Sequence, residues 1–247
     1  LKGLLRDRNR SLMPILVVAI GVMLTVVFHS WLTGVMGDSI EFNARFTAGH
    51  VKVTTAAYAE NANQSPNDLA LLGVDTLVQR LNHDYPQLEW VDRIHFGGLI
   101  DVPDSTGETR SQGTAMGFGI DLFSSGSKEA ERMNLISALK QGRLPQHPGE
   151  VLLSEEMASK MKINPGDTLS LIGATMNGEM AIYNFVLSGT VAFGSIALDK
   201  GSIVADISDV RRALDMEDAA GEVLGFFREG YYDPEQAGAL AVAFNQR

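Results

Sequence analysis

The stretch SLMPILVVAIGVMLTVVFHSWLTGVMG, Ser11–Gly37, contains no Asp, Glu, Lys or Arg. As a helix rising ~1.5 Å per residue it would measure about 40 Å, enough to cross a ~30 Å hydrocarbon core. Pro14 falls in its first turn, where a missing N–H costs least. Trp31 falls near its far end, where an amphipathic ring suits an interface. The run is too long for the helix of a soluble core. It also exceeds the 7–15 apolar residues of a signal peptide and ends in bulky residues rather than a small-x-small cleavage site. A transmembrane helix over 11–37 is therefore expected.

The flanks orient it. Lys2, Arg6, Arg8 and Arg10 precede the span with one acid, Asp7, so residues 1–10 are expected to form a basic cytoplasmic segment. The chain has 20 basic and 30 acidic residues; removing those four and that one leaves the part from Asp38 onward with a net charge of −13. Such a surface repels nucleic acid and anionic headgroups. There is no cysteine, which excludes disulfides, thiolate chemistry and Cys-based zinc sites. The chain begins at Leu1 and stops at Arg247 without a helix terminator, so a longer polypeptide is expected.

The remainder reads as α+β. Ala48–Thr55 has strand alternation, with Val51 and Val53 on one face. Residues 56–72 are polar and read as a loop. Val74, Leu77, Val78 and Leu81 line one face of a short helix. Ile94, Phe96, Ile100 and Val102, then Met116, Phe118 and Ile120, define two long strands joined by the turn sequence PDSTGE. Residues 124–131 read as a polar linker. Ser154 is the expected N-cap of a helix reaching Lys162, stopped by the turn NPGD at Asn164–Asp167. Strands at 168–174 and 181–191 meet across Asn177-Gly178, which predicts a type I′ hairpin with positive φ at both residues. Tyr183, Phe185 and Leu187 share a face of the second strand. A strand at 201–206 leads to a helix capped by Ser208, with Val210, Ala213 and Leu214 inward. An extended segment over 222–228 follows. A last helix, capped by Asp233 with Pro234 in first position, should bury Ala237, Leu240, Ala241 and Phe244.

No catalytic, cofactor-binding or metal residues can be assigned, and no cofactor is implied. Ser137-Ala-Leu-Lys140 matches S-x-x-K but lacks its partner motifs. Gly37-Asp38-Ser39 follows a membrane helix rather than a strand. Gly117-Phe118-Gly119 is only a fragment of a phosphate loop, with no helix opening after it. His29, His50, His83, His95 and His147 never pair at metal-ligand spacing. Met133, Met157, Met161, Met176 and Met180 read mostly as core filler. A non-enzymatic protein is expected.

Several stretches in order resemble one family. Arg8-Asn-Arg10 precedes the span, and GHVKV (Gly49–Val53) follows it. GFGID (Gly117–Asp121) ends a strand. QGRLPQHPGEVLLSEEMASKMKINPGDTLSLI (Gln141–Ile172) carries G-R, E-V-hydrophobic, A-x-x-hydrophobic and G-D in sequence, and FVLSGTVAFGSIALD (Phe185–Asp199) follows. The set resembles the FtsX-like, MacB-type ABC transporter permeases, closest in style to the lipoprotein-releasing (LolC/LolE-like) branch. That resemblance implies a permease subunit of an exporter or extractor in the cell inner membrane, partnered by a cytoplasmic ATPase and by a second permease copy or paralogue. Its outer domain would couple ATP-driven motion to movement of a lipoprotein, lipid, peptide or drug. It also implies two extracytoplasmic lobes, a membrane-proximal α+β lobe over 38–135 and 204–247 and an inserted β-rich lobe over 136–203. Further spans would follow Arg247, and Gly37 and Arg247 would lie at one end of the domain. The alternative is a membrane-anchored sensor or interaction domain of a signalling or cell-division system.

Overall fold

The computed structural model describes residues 8–104 and 106–246. Residues 1–7 of the basic segment, Ser105 in the first hairpin turn and Arg247, one of the two ends expected to meet, lie outside the described residues. The chain divides into two compact units, Leu1–Thr47 and Ala48–Arg247.

The first unit is helical. Helix α1 spans Arg8–Asn43, and a π-helical turn over Ala44–Ala48 follows it. Residues 12–40 are exposed along the whole helix, including Leu12, Val18, Leu24 and Phe28. The segment Leu12–Ala48 is long and apolar enough to cross a membrane. Thr25 and Thr33 hydroxyls donate to the carbonyls of Gly21 and His29, four residues back. This back-bonding satisfies both hydroxyls within the helix itself.

The second unit is α+β. In chain order it contains β1 (Val51–Val53), α2 (Ala56–Glu60), β2 (Leu71–Leu72), α3 (Val74–Asp84), β3 (Leu88–Pro103), β4 (Thr109–Ile120), α4 (Glu129–Arg132), α5 (Leu135–Ala138), β5 (Leu139–Gly142), β6 (Glu150–Ser154) and α6 (Glu155–Met161). It continues with β7 (Thr168–Ala174), β8 (Met180–Val191), α7 (Ile196–Asp199), β9 (Ser202–Asp206), α8 (Ile207–Leu214), β10 (Ala219–Ala220), β11 (Glu222–Phe227) and α9 (Pro234–Asn245).

Nine strands form one sheet in the order β1-β11-β3-β4-β9-β6-β8-β5, and β7 joins β3 to β8. The pairings β3–β4, β4–β9, β9–β6, β6–β8, β8–β7 and β7–β3 close a circuit of strands. β3 makes this geometry possible through its length. Its first half pairs β11 at residues 88–93, and its second half pairs β7 at residues 99–101. Alternation then directs Ile100, Leu153, Leu169, Leu171, Phe185, Leu187 and Ile203 into one core, each at most 1% exposed. The strands of 136–203 thus share a sheet with β3 and β4 of the other expected lobe.

Several local expectations need correction. Residues 56–72 contain α2, two 3-10 turns and β2 rather than a loop. Thr55 caps α2 by accepting from the Tyr58 N–H at 3.0 Å, and Tyr58 is buried. The linker over 124–131 contains the start of α4, held by buried Glu129. Helix α8 is capped by Asp206, whose carboxylate accepts from the Ser208 N–H at 2.9 Å. Ser154 stands at the N-cap of α6, but its buried hydroxyl makes no capping bond and has no partner among the described residues. Asp233 does cap α9, accepting from Glu235 and Gln236 N–H groups.

The β7–β8 hairpin is not type I′. Only Gly178 has positive φ, at 82°. Thr175 N–H donates to the Glu179 carbonyl at 2.8 Å, so the loop holds three residues and ends in a left-handed glycine. A Cβ at Gly178 would meet nothing within 4 Å. Gly178→Val is therefore expected to cost about 1 kcal/mol or more through backbone strain alone. Denaturant titration of the full chain checks this, and an unchanged midpoint would contradict it.

Candidate ligand-binding cavities

Helix α9 departs from its expected burial. Only Ala237 is buried, at 7% exposure; Leu240 is half-buried, Ala241 is exposed and Phe244 is 37% exposed. The helix stands off the sheet across a cavity of about 330 Å³ lined by Val51, Val53, Leu88, Trp90, Leu240 and Phe244 among others. β1 and β3 supply one wall by alternation, and Ala56 and Ala59 of α2 contribute small side chains that leave the space open. Sequence reading missed this because residues 237–244 of α9 are all uncharged, so periodicity could not tell a buried face from a cavity wall.

A second cavity, about 430 Å³, lies where β3 and β9 meet the start of α8, lined by Asp75, Asp92, Asp121, Asp206, Ser208 and Arg211. Arg211 Nη2 donates to Asp92 at 2.8 Å. Burial raises the Asp92 carboxyl above its ordinary range despite Arg211, and Asp75 and Asp121 add to the rise. The Asp206 carboxylate is occupied by the N–H groups of Ser208 and Leu122, each at 2.9 Å. Among the described residues no group of three or more His, Asp or Glu is arranged to hold a metal ion.

Beside these cavities lies a buried ionic cluster. Glu222 of β11, 1% exposed, accepts from Lys52 Nζ of β1 at 2.6 Å and lies 2.8 Å from His95 Nε2 of β3. Register explains the meeting, since Leu224 pairs Lys52 and Glu222 pairs Arg93 two residues before His95. Burial works to raise the Glu222 carboxyl, but His95 and Lys52 outweigh it and hold it below the usual range. A lowered folded pKa contributes stability that is full above the unfolded Glu value of ~4.3 and lost as pH falls through the folded value. Unfolding midpoints measured from neutral to acid pH should therefore drop less steeply in Glu222→Gln than in the parent chain. Parallel curves would show that Glu222 does not carry this dependence.

The residues weighed from sequence are dispersed. Ser137 and Lys140 are exposed on α5 and β5. The Ser39 hydroxyl donates to the Val35 carbonyl within α1. Gly117 and Gly119 face Phe96 and Val210 rather than an anion. His50 is buried, with Nδ1 accepting from the Phe227 N–H at 3.0 Å, while His83 and His147 are exposed. Met133, Met157 and Met161 are buried, but Met180 is 77% exposed. With Ile182, 64% exposed, and Met116, 44% exposed, Met180 stands on the outer face of the strand circuit. Cross-strand neighbours Ile172 and Leu99 join Ile182 in one apolar row there.

No family model matches the chain, and no curated protein matches it. Among solved structures it is similar to the crystal structure of the periplasmic region of MacB from Actinobacillus actinomycetemcomitans, with a TM-score of 0.46 and 16% identity over 70% of this chain and 72% of that one. A likeness of that degree assigns no activity.

Proposed function

We propose that this chain is the first membrane helix and the extracytoplasmic domain of an FtsX-like, MacB-type permease subunit, non-enzymatic in itself and set in the inner membrane. The observation that carries this reading is α1, a 36-residue helix with exposed apolar side chains, basic residues before it and a separately folded acidic unit after it. The ordered stretches from Gly49 to Asp199 support the family. The segment Gln141–Ile172 in particular forms β5, β6, α6 and β7 around the shared core.

In this reading a cytoplasmic ATPase drives the membrane helices, and the outer domain passes the motion to a lipoprotein, lipid, peptide or drug. The lipoprotein-releasing branch is the favoured one. The apolar row on the outer face of β8, β7 and β3 suits contact with a second permease copy or another protein. Gentle extraction of the natural-length protein from its own membranes tests the proposal. An ATPase of the ABC class should co-purify in near-stoichiometric amount, and its turnover should require the permease. Purification without any ATPase, or with a histidine-kinase-like signalling partner instead, would overturn the reading in favour of a sensor.

A further inference from the structure

The chain has no cysteine, so methionine thioethers are its only sulfur groups and its softest two-electron reductants. Burial divides them. In the second unit Met133, Met157, Met161 and Met216 are at most 4% exposed, and Met176 is half-buried. Met116 is 44% exposed and Met180 is 77% exposed. Oxidation follows access, so an oxidant arriving from solvent meets Met180 first.

The fold sets where that chemistry lands. Met180 opens β8 and pairs Ala174, the last residue of β7, while Met116 of β4 pairs Gly97 of β3. β3 and β7 lie together between them, with the Gly97 carbonyl oxygen 3.4 Å from where a Cβ on Gly173 would stand. Directly paired residues share a face. Two thioethers therefore flank a floor of Gly97 and Ala174, beside the apolar row of Leu99, Ile172 and Ile182. Ile182 lies two residues from Met180 on that same face. The inward face of β8 is carried by other residues, Ala181 and Phe185, at 4% and 1% exposure. A polar group added to Met180 changes the outer face and leaves the core alone.

We propose that Met180 is a reversible oxidation site, where a hydroperoxide turns the end of this apolar row polar without unfolding the domain. The sulfur lone pair takes one oxygen of the hydroperoxide. The O–O bond breaks, an S–O bond forms, and the rest leaves as an alcohol, or as water from hydrogen peroxide. Sulfur gives up two electrons. The sulfoxide returns to the thioether when a dithiol reductase releases its oxygen as water and is itself oxidised to a disulfide. Those thiols must come from another protein, since this chain has none. The site stands whether or not the chain works with an ATPase.

NMR of the full chain in lipid nanodiscs, isotope-labelled at its methionine and isoleucine methyl carbons, tests this during treatment with hydrogen peroxide. A methionine methyl carbon moves far downfield on sulfoxidation, so each residue can be followed. Met180 should convert at least about tenfold faster than Met133, Met157, Met161 and Met216. The Ile182 methyl signals should shift as Met180 converts, while those of Met157 and Met161 stay in place and the unfolding temperature is unchanged. In Met180→Leu the same treatment should leave Ile182 unshifted. Sulfoxide reductases for both epimers, supplied with dithiothreitol, should restore the Met180 signal in the folded chain. Conversion of Met180 no faster than that of the buried methionines would overturn the proposal. So would a lowered unfolding temperature, an Ile182 shift that persists in Met180→Leu, or a sulfoxide that the reductases reach only after unfolding.

Discussion

Glu129→Ala is expected to destabilise the outer domain by about 3–5 kcal/mol, the cost of breaking a buried ion pair from one side. Glu129 is fully buried on α4, and Arg93 of β3 is 1% exposed. Arg93 Nε donates to Glu129 Oε2 at 2.6 Å. Arg132 also pairs with Glu129 and reaches Glu89 at 3.3 Å, with its guanidinium 4.2 Å from the Phe226 ring centroid. Removing the carboxylate leaves the Arg93 guanidinium in the interior without its closest counter-charge. A double replacement, Arg93→Met with Glu129→Leu, should recover most of the loss, because two apolar side chains need no counter-charge. Urea unfolding of the three variants measures this. A loss below about 1 kcal/mol in Glu129→Ala would place the pair among weak surface bridges instead.

The second large effect is steric. A Cβ added at Gly117 would lie 2.1 Å from two ring atoms of Phe96. Phe96 is 2% exposed, on the strand that pairs with Gly117 directly. The ring has no room to withdraw, so Gly117→Ala should cost about 1–3 kcal/mol by overpacking. Phe96→Leu in the same chain should restore part of that stability, even though Phe96→Leu alone weakens the core. The sign of the coupling decides the matter. Additive losses would mean that the glycine serves the backbone and not the ring.

How much of this was legible depends on the element. α3 was readable because Val74, Leu77, Val78 and Leu81 repeat at helical spacing, and Val74 and Leu81 are indeed buried. The alternation in β3 was equally clear, with Ile94, Phe96, Ile100 and Val102 all at most 2% exposed. Met116 continued the pattern in β4 yet is 44% exposed, because period two gives a face without saying what covers it. The strand circuit was not legible. It depends on β3 changing partners from β11 to β7 along its length, and no local pattern encodes a change of partner. The glycines of Gly117-Phe118-Gly119 were read on a strand and set aside as a phosphate-loop fragment, and they prove to be spaces for Phe96 and Val210. The cavity beside Trp90 was hidden for a related reason. A missing side chain at Ala56, Ala59 or Ala241 leaves no signature in a pattern of apolar residues.

The central claim is that α1 spans a membrane and carries the acidic domain on its far side. The absence of cysteine makes a direct measurement available, since any introduced thiol is unique. Asn177→Cys sits in the exposed β7–β8 loop, and Lys2→Cys sits before the span. Intact cells with a permeabilised outer envelope would be treated with a membrane-impermeant maleimide. The account predicts full labelling at position 177 and labelling at position 2 only after the inner membrane is lysed. Labelling at position 2 with protection at position 177, or equal labelling of both in intact cells, would contradict it.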